Sequence, residues 1–264
     1  MLFGRVKVEL LEANRLWTDG GSTMGLLPKT TWEKSFKADS RNRIATTTRC
    51  LLIIDEHKRI IVDTGIGNRF DEKTKEIFSV GPFNLINNLK YIGIKREDID
   101  FVILSHLHFD HCGGVVSNIN GVNCLTFPNA KHIIQNREWA MAKSPDGLNK
   151  YAYDFSFHLS LLEEKGKVVP LDGDINITKN VSVRLSGGHS IGHQIVEIKN
   201  GGKLGIYAGD LVSNNLHLRP HIISAFDINR QKSFIFKTTI FQQLAENNGV
   251  LFFDHELEKS YFQF

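Results

Sequence analysis

Three histidines and an aspartate follow a short apolar run in the first half of the chain. Residues 101–104 are all apolar and too few for a helix, so they predict a buried strand. The polar side chains then arrive within six positions, at His106, His108, Asp110 and His111. Imidazole nitrogens and carboxylate oxygens are common zinc ligands. Because packing these groups together without a cation would cost desolvation and repulsion, the cluster predicts a metal site.

The spacing of the cluster suggests how its side chains could share the metal. In an extended segment alternate residues share a face, so His106, His108 and Asp110 are expected to converge on one point. His111 would point elsewhere and, with Asp110 beside it, serve a second point. Gly113 and Gly114 follow, and we expect them where the backbone passes too close to a crowded site for a Cβ atom.

Three later apolar segments end in the same way, with a histidine or an aspartate after the predicted strand. The segments are residues 181–185, 204–208 and 250–253, and they lead to His189, Asp210 and His255. The carboxyl ends of strands are the usual place for a site in α/β folds. Asp63 also follows a strand, at residues 60–62. It either supports the metal loop by contacting a metal-binding residue from behind, or only forms a turn.

The rest of the chain alternates between predicted strands and helices, which indicates the α/β class with helices covering sheets. Further strands are expected at 6–10, 50–54, 122–127 and 131–135, and helices at 85–92, 136–142, 143–165 and 230–246. The stretch that follows residue 10, as far as residue 32, is expected to be an apolar loop that either lines a pocket or folds onto the core. With no repeat and no linker-like segment, residues 1–264 are expected to form a single domain.

Composition excludes several classes of partner. The 264 residues are 41% hydrophobic and 23% charged with a net charge of +3, which is ordinary for a globular protein with a core. No basic run reaches five residues, so no nucleic-acid partner is expected, and no apolar run approaches the ~18 residues needed to cross a membrane. The start lacks the apolar region of a signal peptide. Three cysteines without disulfide spacing suit a reducing compartment, so a cytoplasmic location is expected.

The sequence His-x-His-x-Asp-His after an apolar strand resembles the motif of the metallo-β-lactamase superfamily. The resemblance implies a four-layer αββα sandwich that holds two metal ions. It also implies a role for each residue that matches the family pattern: His106, His108 and His189 bind the first metal, Asp110, His111 and His255 bind the second, Asp210 is shared between them, and His193 braces the site.

The chemistry expected of such a centre is hydrolysis. Two cations ~3.5–4 Å apart repel, and a bridging carboxylate together with a bridging hydroxide offsets that repulsion and provides a nucleophile at neutral pH. A nitrogen and oxygen donor set favours two zinc ions but leaves manganese, cobalt or iron open. Iron-using flavoprotein relatives carry Glu where His108 stands, so histidine there favours a hydrolase. Asp110 is expected both to bind the second metal and to move the proton.

The segment 209–220, together with residues 17–32, resembles the quorum-quenching N-acyl-homoserine lactonase group. The implied substrate is a small-molecule ester or lactone, and a homodimer is possible. Some lactonases carry a tyrosine three residues after the bridging aspartate, whereas this chain has Ser213. His217 either supplies a substrate contact instead or is a surface histidine. The aromatic residues 151–157 either cap the pocket or belong to the core.

Three alternatives to a lactonase remain open at this point. A thioesterase of the glyoxalase II kind has the same metal ligands, and an organophosphate triesterase is a close relative of the lactonases. The third alternative is a binding module that a metal stabilises but that has no catalytic turnover. The complete ligand set makes this last alternative the weakest.

Overall fold

Two β-sheets lie face to face in the computed structural model, which describes all residues 1–264. The first sheet has seven strands in the spatial order β1-β2-β3-β4-β5-β8-β9. Its strands are β1 (Leu2–Phe3), β2 (Val6–Asp19), β3 (Arg43–Asp55), β4 (Lys58–Val62), β5 (Phe101–Ile103), β8 (Lys131–Gln135) and β9 (Val168–Leu171). The pairs β4–β5, β5–β8 and β8–β9 are parallel, and the remaining pairs of this sheet are antiparallel.

The second sheet has six strands in the order in which they occur along the chain. They are β10 (Ile175–Asn176), β11 (Val181–Leu185), β12 (Gln194–Asn200), β13 (Lys203–Tyr207), β14 (Val250–Phe252) and β15 (Tyr261–Gln263). Only β13 and β14 pair in parallel. A separate hairpin joins β6 (Val116–Ile119) to β7 (Val122–Leu125).

Helices cover the outer faces of the sheets, and short helices form parts of the connections between strands. They are α1 (Gly20–Met24), α2 (Lys29–Trp32), α3 (Glu72–Phe78), α4 (Leu85–Tyr91), α5 (Phe109–Cys112), α6 (Asn136–Lys143), α7 (Phe155–His158), α8 (Ser160–Glu164) and α9 (Arg230–Glu246). Short 3₁₀ turns occupy Arg96–Asp98, Gly113–Val115, Gly209–Val212 and Asn215–Leu218. None of these helices combines the length and the apolar character that crossing a membrane requires.

The alternation of side chains along the strands produces three apolar layers. Between the sheets, Ile53 and Ile103 of the first sheet pack with Val196 and Phe252 of the second. On the outer face of the first sheet, α4 packs its leucines against strand residues. On the outer face of the second sheet, α9 packs its isoleucine, phenylalanine and leucine side chains against strand residues. The predicted αββα sandwich is therefore confirmed.

Most predicted elements are present, and two predictions need correction. The stretch after residue 10 is not a loop throughout, because β2 continues to Asp19. It pairs with β3 from Lys7 to Asp19, with an irregularity between Glu12 and Asn14. Residues 143–165 do not form one helix. The last turn of α6 includes Lys143, turns follow, and the remainder divides into α7 and α8.

The two glycines after the metal motif lie where the backbone passes closest to a neighbouring loop. A Cβ atom on Gly113 would be 2.3 Å from the carbonyl oxygen of Ile66, and one on Gly114 would be 2.2 Å from that of Thr64. Both contacts are with backbone atoms, which cannot rotate away as a flexible side chain could. The predicted close approach is confirmed, and it places the loop after β4 directly against the motif.

We expect Gly114→Ala to lower the free energy of unfolding by about 1–3 kcal/mol, the usual cost of overpacking a filled site. The matched control is Gly147→Ala, because a Cβ at Gly147 meets no atom within 4 Å. Urea denaturation of both variants and the wild type measures the difference. Equal stabilities for the two variants would show that the loop against Gly114 yields without cost.

Candidate metal centre

Two groups of metal-ligating side chains meet between the sheets at the carboxyl ends of β5, β11, β13 and β14. In each group, one nitrogen or oxygen atom per residue lies within 4.8 Å of the others. The first group is His106, His108, His189 and Asp210, and the second is His111, Asp210, Asp254 and His255. Six of the seven predicted ligands therefore fall into these groups, and Asp210 belongs to both.

The seventh predicted ligand, Asp110, lies beside the second group. Its Oδ2 atom is 3.7 Å from Nε2 of His255 and 4.0 Å from Nε2 of His111. The expectation that Asp110 shares a face with His106 and His108 is wrong, because the chain is not extended there. His108 is the N-cap of α5, and Asp110 lies within its single helical turn.

Asp210 is the centre of the cluster. Its Oδ2 atom lies 3.0 Å from Nε2 of His189, and its Oδ1 atom lies 3.1 Å from Nε2 of His111 and 3.0 Å from Nε2 of His255. His106 is further away, with its Nε2 atom 3.8 Å from Oδ2. One carboxylate thus contacts imidazoles from both groups.

The electrostatics of the cluster favour bound positive charge. Burial raises the pKa of Asp210, but His111, His189 and His255 outweigh it and hold that pKa well below its usual range. Burial lowers the pKa of His189, whereas Asp210 and Asp227 raise it to about 10. The pKa of His106 is lowered well below its usual value by burial and by the neighbouring histidines, so its lone pair remains free.

The structure contains a second sign that a cation fits here. Nε2 of His106 and Oδ2 of Asp254 are buried and have no hydrogen-bond partner. Buried polar atoms without partners are rare in native proteins and need an explanation. Nitrogen and oxygen atoms that point at a common centre are the donor set of zinc and of similar divalent ions, so these residues fit the metals that the motif implies.

Three of the histidines are oriented by acceptors behind them. Nδ1 of His111 lies 2.9 Å from Oδ2 of Asp63, Nδ1 of His189 lies 3.0 Å from Oδ1 of Asp227, and Nδ1 of His255 lies 2.7 Å from the carbonyl oxygen of Thr47. Each Nδ1 atom donates its proton outwards, which leaves Nε2 facing the centre. This arrangement is the usual support for metal-binding histidines.

Asp63 is more than a turn-forming residue. Besides contacting His111, it accepts hydrogen bonds from the backbone amide and the hydroxyl of Ser105, both at 2.7 Å, and from the hydroxyl of Tyr207 at 3.0 Å. Asp63 therefore joins the end of β4 to the start of the metal motif. The interpretation of Asp63 as a support for the metal loop is confirmed.

Glu138 on α6 connects two loops that carry candidate metal ligands. Its buried carboxylate accepts from the backbone amides of Leu107 at 3.1 Å and Gly192 at 2.8 Å, and from the hydroxyls of Ser190 at 2.7 Å and Tyr153 at 2.8 Å. Leu107 lies between two histidines of the motif, and Ser190 follows His189. The position of His108 relative to His189 thus depends on one carboxylate.

His193 and His217 lie outside both groups. His193 packs its ring 5.2 Å from that of His106, and its Nδ1 atom is 2.6 Å from Oγ of Ser186, consistent with a bracing role. His217 is 1% exposed, so it is not a surface histidine. It is not among the residues that line the cavity, and it contacts the cavity residue Ser213 instead.

A cavity of about 650 Å³ opens over the cluster. Its floor includes His108, Asp110, His189, Asp210 and His255. Its walls are largely apolar, and they include Trp17, Ile66, Phe70, Phe109, Tyr151, Phe157 and Phe226. The aromatic segment 151–157 therefore borders the pocket, whereas Met24 and Trp32 of the early stretch are buried in a cluster of their own.

Residues 44–234 match the family described as the metallo-beta-lactamase superfamily. The chain belongs to that superfamily. An N-acyl homoserine lactonase of Bacillus cereus is 27% identical over 224 residues, which cover 80% of this chain and 81% of the relative.

Solved structures of similar fold agree with this membership. A probable metal-dependent hydrolase from Staphylococcus aureus superposes with a TM-score of 0.94 at 27% identity and covers 100% of this chain and 94% of its own. AidC, a dizinc quorum-quenching lactonase in complex with a product, superposes with a TM-score of 0.79 at 22% identity and covers 100% of this chain and 92% of its own. This protein is thus a hydrolase of the superfamily that resembles the lactonases.

Several residues of the site were not predicted as such from the sequence. Asp254 lies two residues after β14, so its position could have marked it, but the adjacent His255 was the stronger candidate. Glu138 and Asp227 carry no local signal. Glu138 lies on a helix far from any motif, and the pairing of Asp227 with His189 spans 38 residues.

We expect Glu138→Gln to weaken metal binding about 10- to 100-fold, because an amide replaces a carboxylate that accepts four hydrogen bonds. Competition with a chromogenic chelator measures the affinity. The control is Glu163→Gln, which removes an exposed carboxylate paired with Lys143. If both variants bind metal as the wild type does, Glu138 has no part in placing the ligands.

Proposed function

We propose that this protein is a dinuclear metal-dependent hydrolase that opens the ring of N-acyl-homoserine lactones. The observation that carries the proposal is the position of Asp210 between two histidine groups on the floor of an apolar cavity. The resemblance to curated lactonases supports the choice of substrate.

The proposed ligands follow the two groups. His106, His108 and His189 would hold one metal, His111, His255 and Asp110 would hold the other, and Asp210 would serve both. Asp254 is 1% exposed and does not line the cavity, so it supports the second group from the protein side. Zinc is the proposed metal, because all donors are nitrogen or oxygen.

Two bound divalent cations would supply a hydroxide nucleophile at neutral pH and stabilise the negative charge that develops on the substrate carbonyl oxygen. The carboxylate of Asp210 balances part of the positive charge from within the protein. His111, His189 and His255 keep their Nε2 atoms directed inwards because their Nδ1 protons are held by acceptors behind them. The chain thus provides a site that is oriented before substrate binds.

Asp110 is the group proposed to move the proton. It lies on the cavity floor, and its Oδ2 atom is 3.7 Å from Nε2 of His255. Ring opening breaks the bond between the lactone carbonyl carbon and the ring oxygen. The departing alkoxide must then take up a proton. A carboxylate with one free oxygen can accept the proton of the nucleophile and deliver it to that alkoxide.

The cavity walls suit an acylated substrate. Aromatic side chains from three separate parts of the chain, including Trp17, Phe109 and Phe157, face the space above the floor. An acyl chain that leaves water for such a surface gains roughly 0.8 kcal/mol for each buried CH₂ group. The site draws on strands from both sheets, which supports the proposal that residues 1–264 act as a single domain.

We expect protein purified without chelator to contain close to two metal equivalents and to hydrolyse N-acyl-homoserine lactones faster than other esters. Elemental analysis gives the metal content. A panel of lactones, an acyl-glutathione and an organophosphate triester gives kcat/KM for each class. Removal of the metals with a chelator should abolish turnover, and zinc should restore it.

Each alternative has its own outcome in this panel. Fast turnover of acyl-glutathione with inert lactones would identify a thioesterase instead. Preference for the organophosphate would identify a triesterase, and no turnover of any substrate by the metal-loaded protein would leave a binding module. A value near one metal equivalent with full activity would contradict the dinuclear proposal.

We expect Asp110→Asn to retain much of its metal and to lose at least ~10²-fold in kcat on lactones, the lower end of the usual range for general acid–base catalysis. Asparagine keeps one ligating oxygen but cannot carry the proton. The loss should be smaller for a nitrophenyl ester, whose leaving group needs no protonation.

The matched control for this substitution is Asp100→Asn. Asp100 lies before β5, at the opposite end of the strand from His106, and pairs with Lys58 at 3.0 Å. The control should behave as the wild type does. An equal loss on lactone and nitrophenyl ester in Asp110→Asn, with metals bound, would show that Asp110 is only a ligand.

A further inference from the structure

A chain of hydrogen bonds leads from α1 to the cavity floor through His217. Its Nε2 atom lies 3.0 Å from the carbonyl oxygen of Thr23, and its Nδ1 atom lies 3.0 Å from Oγ of Ser213. Ser213 lines the cavity together with Asp210 and His255. Its backbone carbonyl also accepts from the amide of His255 at 3.2 Å, which fixes it close to the proposed ligands.

The direction of each hydrogen bond follows from the acceptor at the far end. A carbonyl oxygen can only accept, so Nε2 of His217 must donate to Thr23. In a neutral imidazole the other nitrogen then carries a lone pair, and Nδ1 must accept. The only proton available for that bond is the hydroxyl proton of Ser213. Ser213 therefore donates away from the cavity and has no proton left to give to a substrate.

His217 cannot change to donating a hydrogen bond from Nδ1 to Ser213. It is buried, and burial lowers its pKa to about 3. The ring therefore stays neutral at physiological pH, with its single N–H proton committed to Thr23.

The oxygen of Ser213 is left as an acceptor. Its other close partner is Nδ2 of Asn214 at 3.5 Å, at the limit of a hydrogen bond, so a lone pair remains for a group in the cavity. A hydroxyl in this state pairs with an N–H or O–H group and cannot steady a carbonyl oxygen. A substrate group that is itself only an acceptor would leave the remaining lone pair of this oxygen without a donor and face it with another lone pair, which costs free energy.

We propose that Ser213 is a specificity-determining residue whose hydroxyl oxygen accepts a hydrogen bond from the amide N–H of the substrate. In an N-acyl-homoserine lactone this N–H is attached to the ring carbon next to the reacting carbonyl. The inference rests on the proposed lactonase function and deepens it. Ser213 selects lactones with an acylamino group over lactones with a plain alkyl chain, and His217 acts as the positioning residue.

The test compares kcat/KM for N-hexanoyl-homoserine lactone and for an α-alkyl-γ-butyrolactone of matched length. The selectivity ratio should fall about threefold to tenfold in Ser213→Ala, the equivalent of one net hydrogen bond, and Ser213→Thr should restore it. Ser224→Ala is the matched control, because Ser224 also lines the cavity but donates to the carbonyl oxygen of Ser22. Its ratio should equal that of the wild type.

Elemental analysis accompanies each variant, so that a loss of metal is recognised. A ratio in Ser213→Ala within twofold of the wild type, with metals bound, overturns this inference and leaves the lactonase proposal standing. If the wild-type protein opens no lactone at all, both proposals fail.

A second measurement does not depend on turnover. Nitrogen-15 NMR of histidine-labelled protein reports which ring nitrogen of His217 carries the proton. We expect protonated Nε2 and unprotonated Nδ1, with the Nδ1 signal shifting in Ser213→Ala. A proton on Nδ1 in the wild type would make Ser213 the acceptor of that bond and would overturn the inference.

Discussion

The carboxylate of Asp210, whose side chain is 14% exposed, and the three imidazoles around it at 3.0–3.1 Å form the interaction on which the rest of the structure depends. Removing so many ionisable groups from water is expensive unless their charges are balanced. The two sheets make this balance possible because β5, β11, β13 and β14 end at the same edge. The side chains that follow these strands therefore converge, and the carboxylate lies next to the imidazoles. The sandwich is thus the frame that makes a dense polar cluster possible between apolar layers.

Holding the cluster in one arrangement requires contacts that the strands alone do not provide. Asp63, Asp227 and the carbonyl of Thr47 each fix one histidine through its Nδ1 atom. Glu138 fixes two loops at once. These supports come from β3, the end of β4, α6 and the segment before α9, so nearly every layer of the fold contributes to the orientation of the ligands. An oriented site avoids the cost of rearranging side chains when charge develops in the reaction.

The sequence predicts the parts of this arrangement that depend on local order. The strands before His106, His189, Asp210 and His255 were recognisable because short apolar runs ended in polar residues. The grouping of the candidate ligands was harder to predict. One helical turn at α5 moves Asp110 away from His106 and His108, and the local spacing does not indicate that turn. The supporting residues could not be predicted for a different reason. Glu138 reaches Ser190 across 52 positions, and only the assembled fold brings them together.

The apolar cavity wall and the candidate metal centre are joined by the segment that follows Asp210. His217 binds the carbonyl of Thr23, the amide of Ala225 donates to the carbonyl of Ser22 at 2.8 Å, and a Cβ atom on Gly25 would lie 1.9 Å from the carbonyl of Ile223. Residues 22–25 are therefore fastened to residues 217–225 by one side-chain hydrogen bond, one backbone hydrogen bond and one close backbone approach. The cavity wall near α1 cannot shift without disturbing the hydrogen bond that sets the polarity of Ser213. In the proposed lactonase, recognition of the acyl group and recognition of the ring would depend on the same pair of segments, which would favour a substrate that carries both.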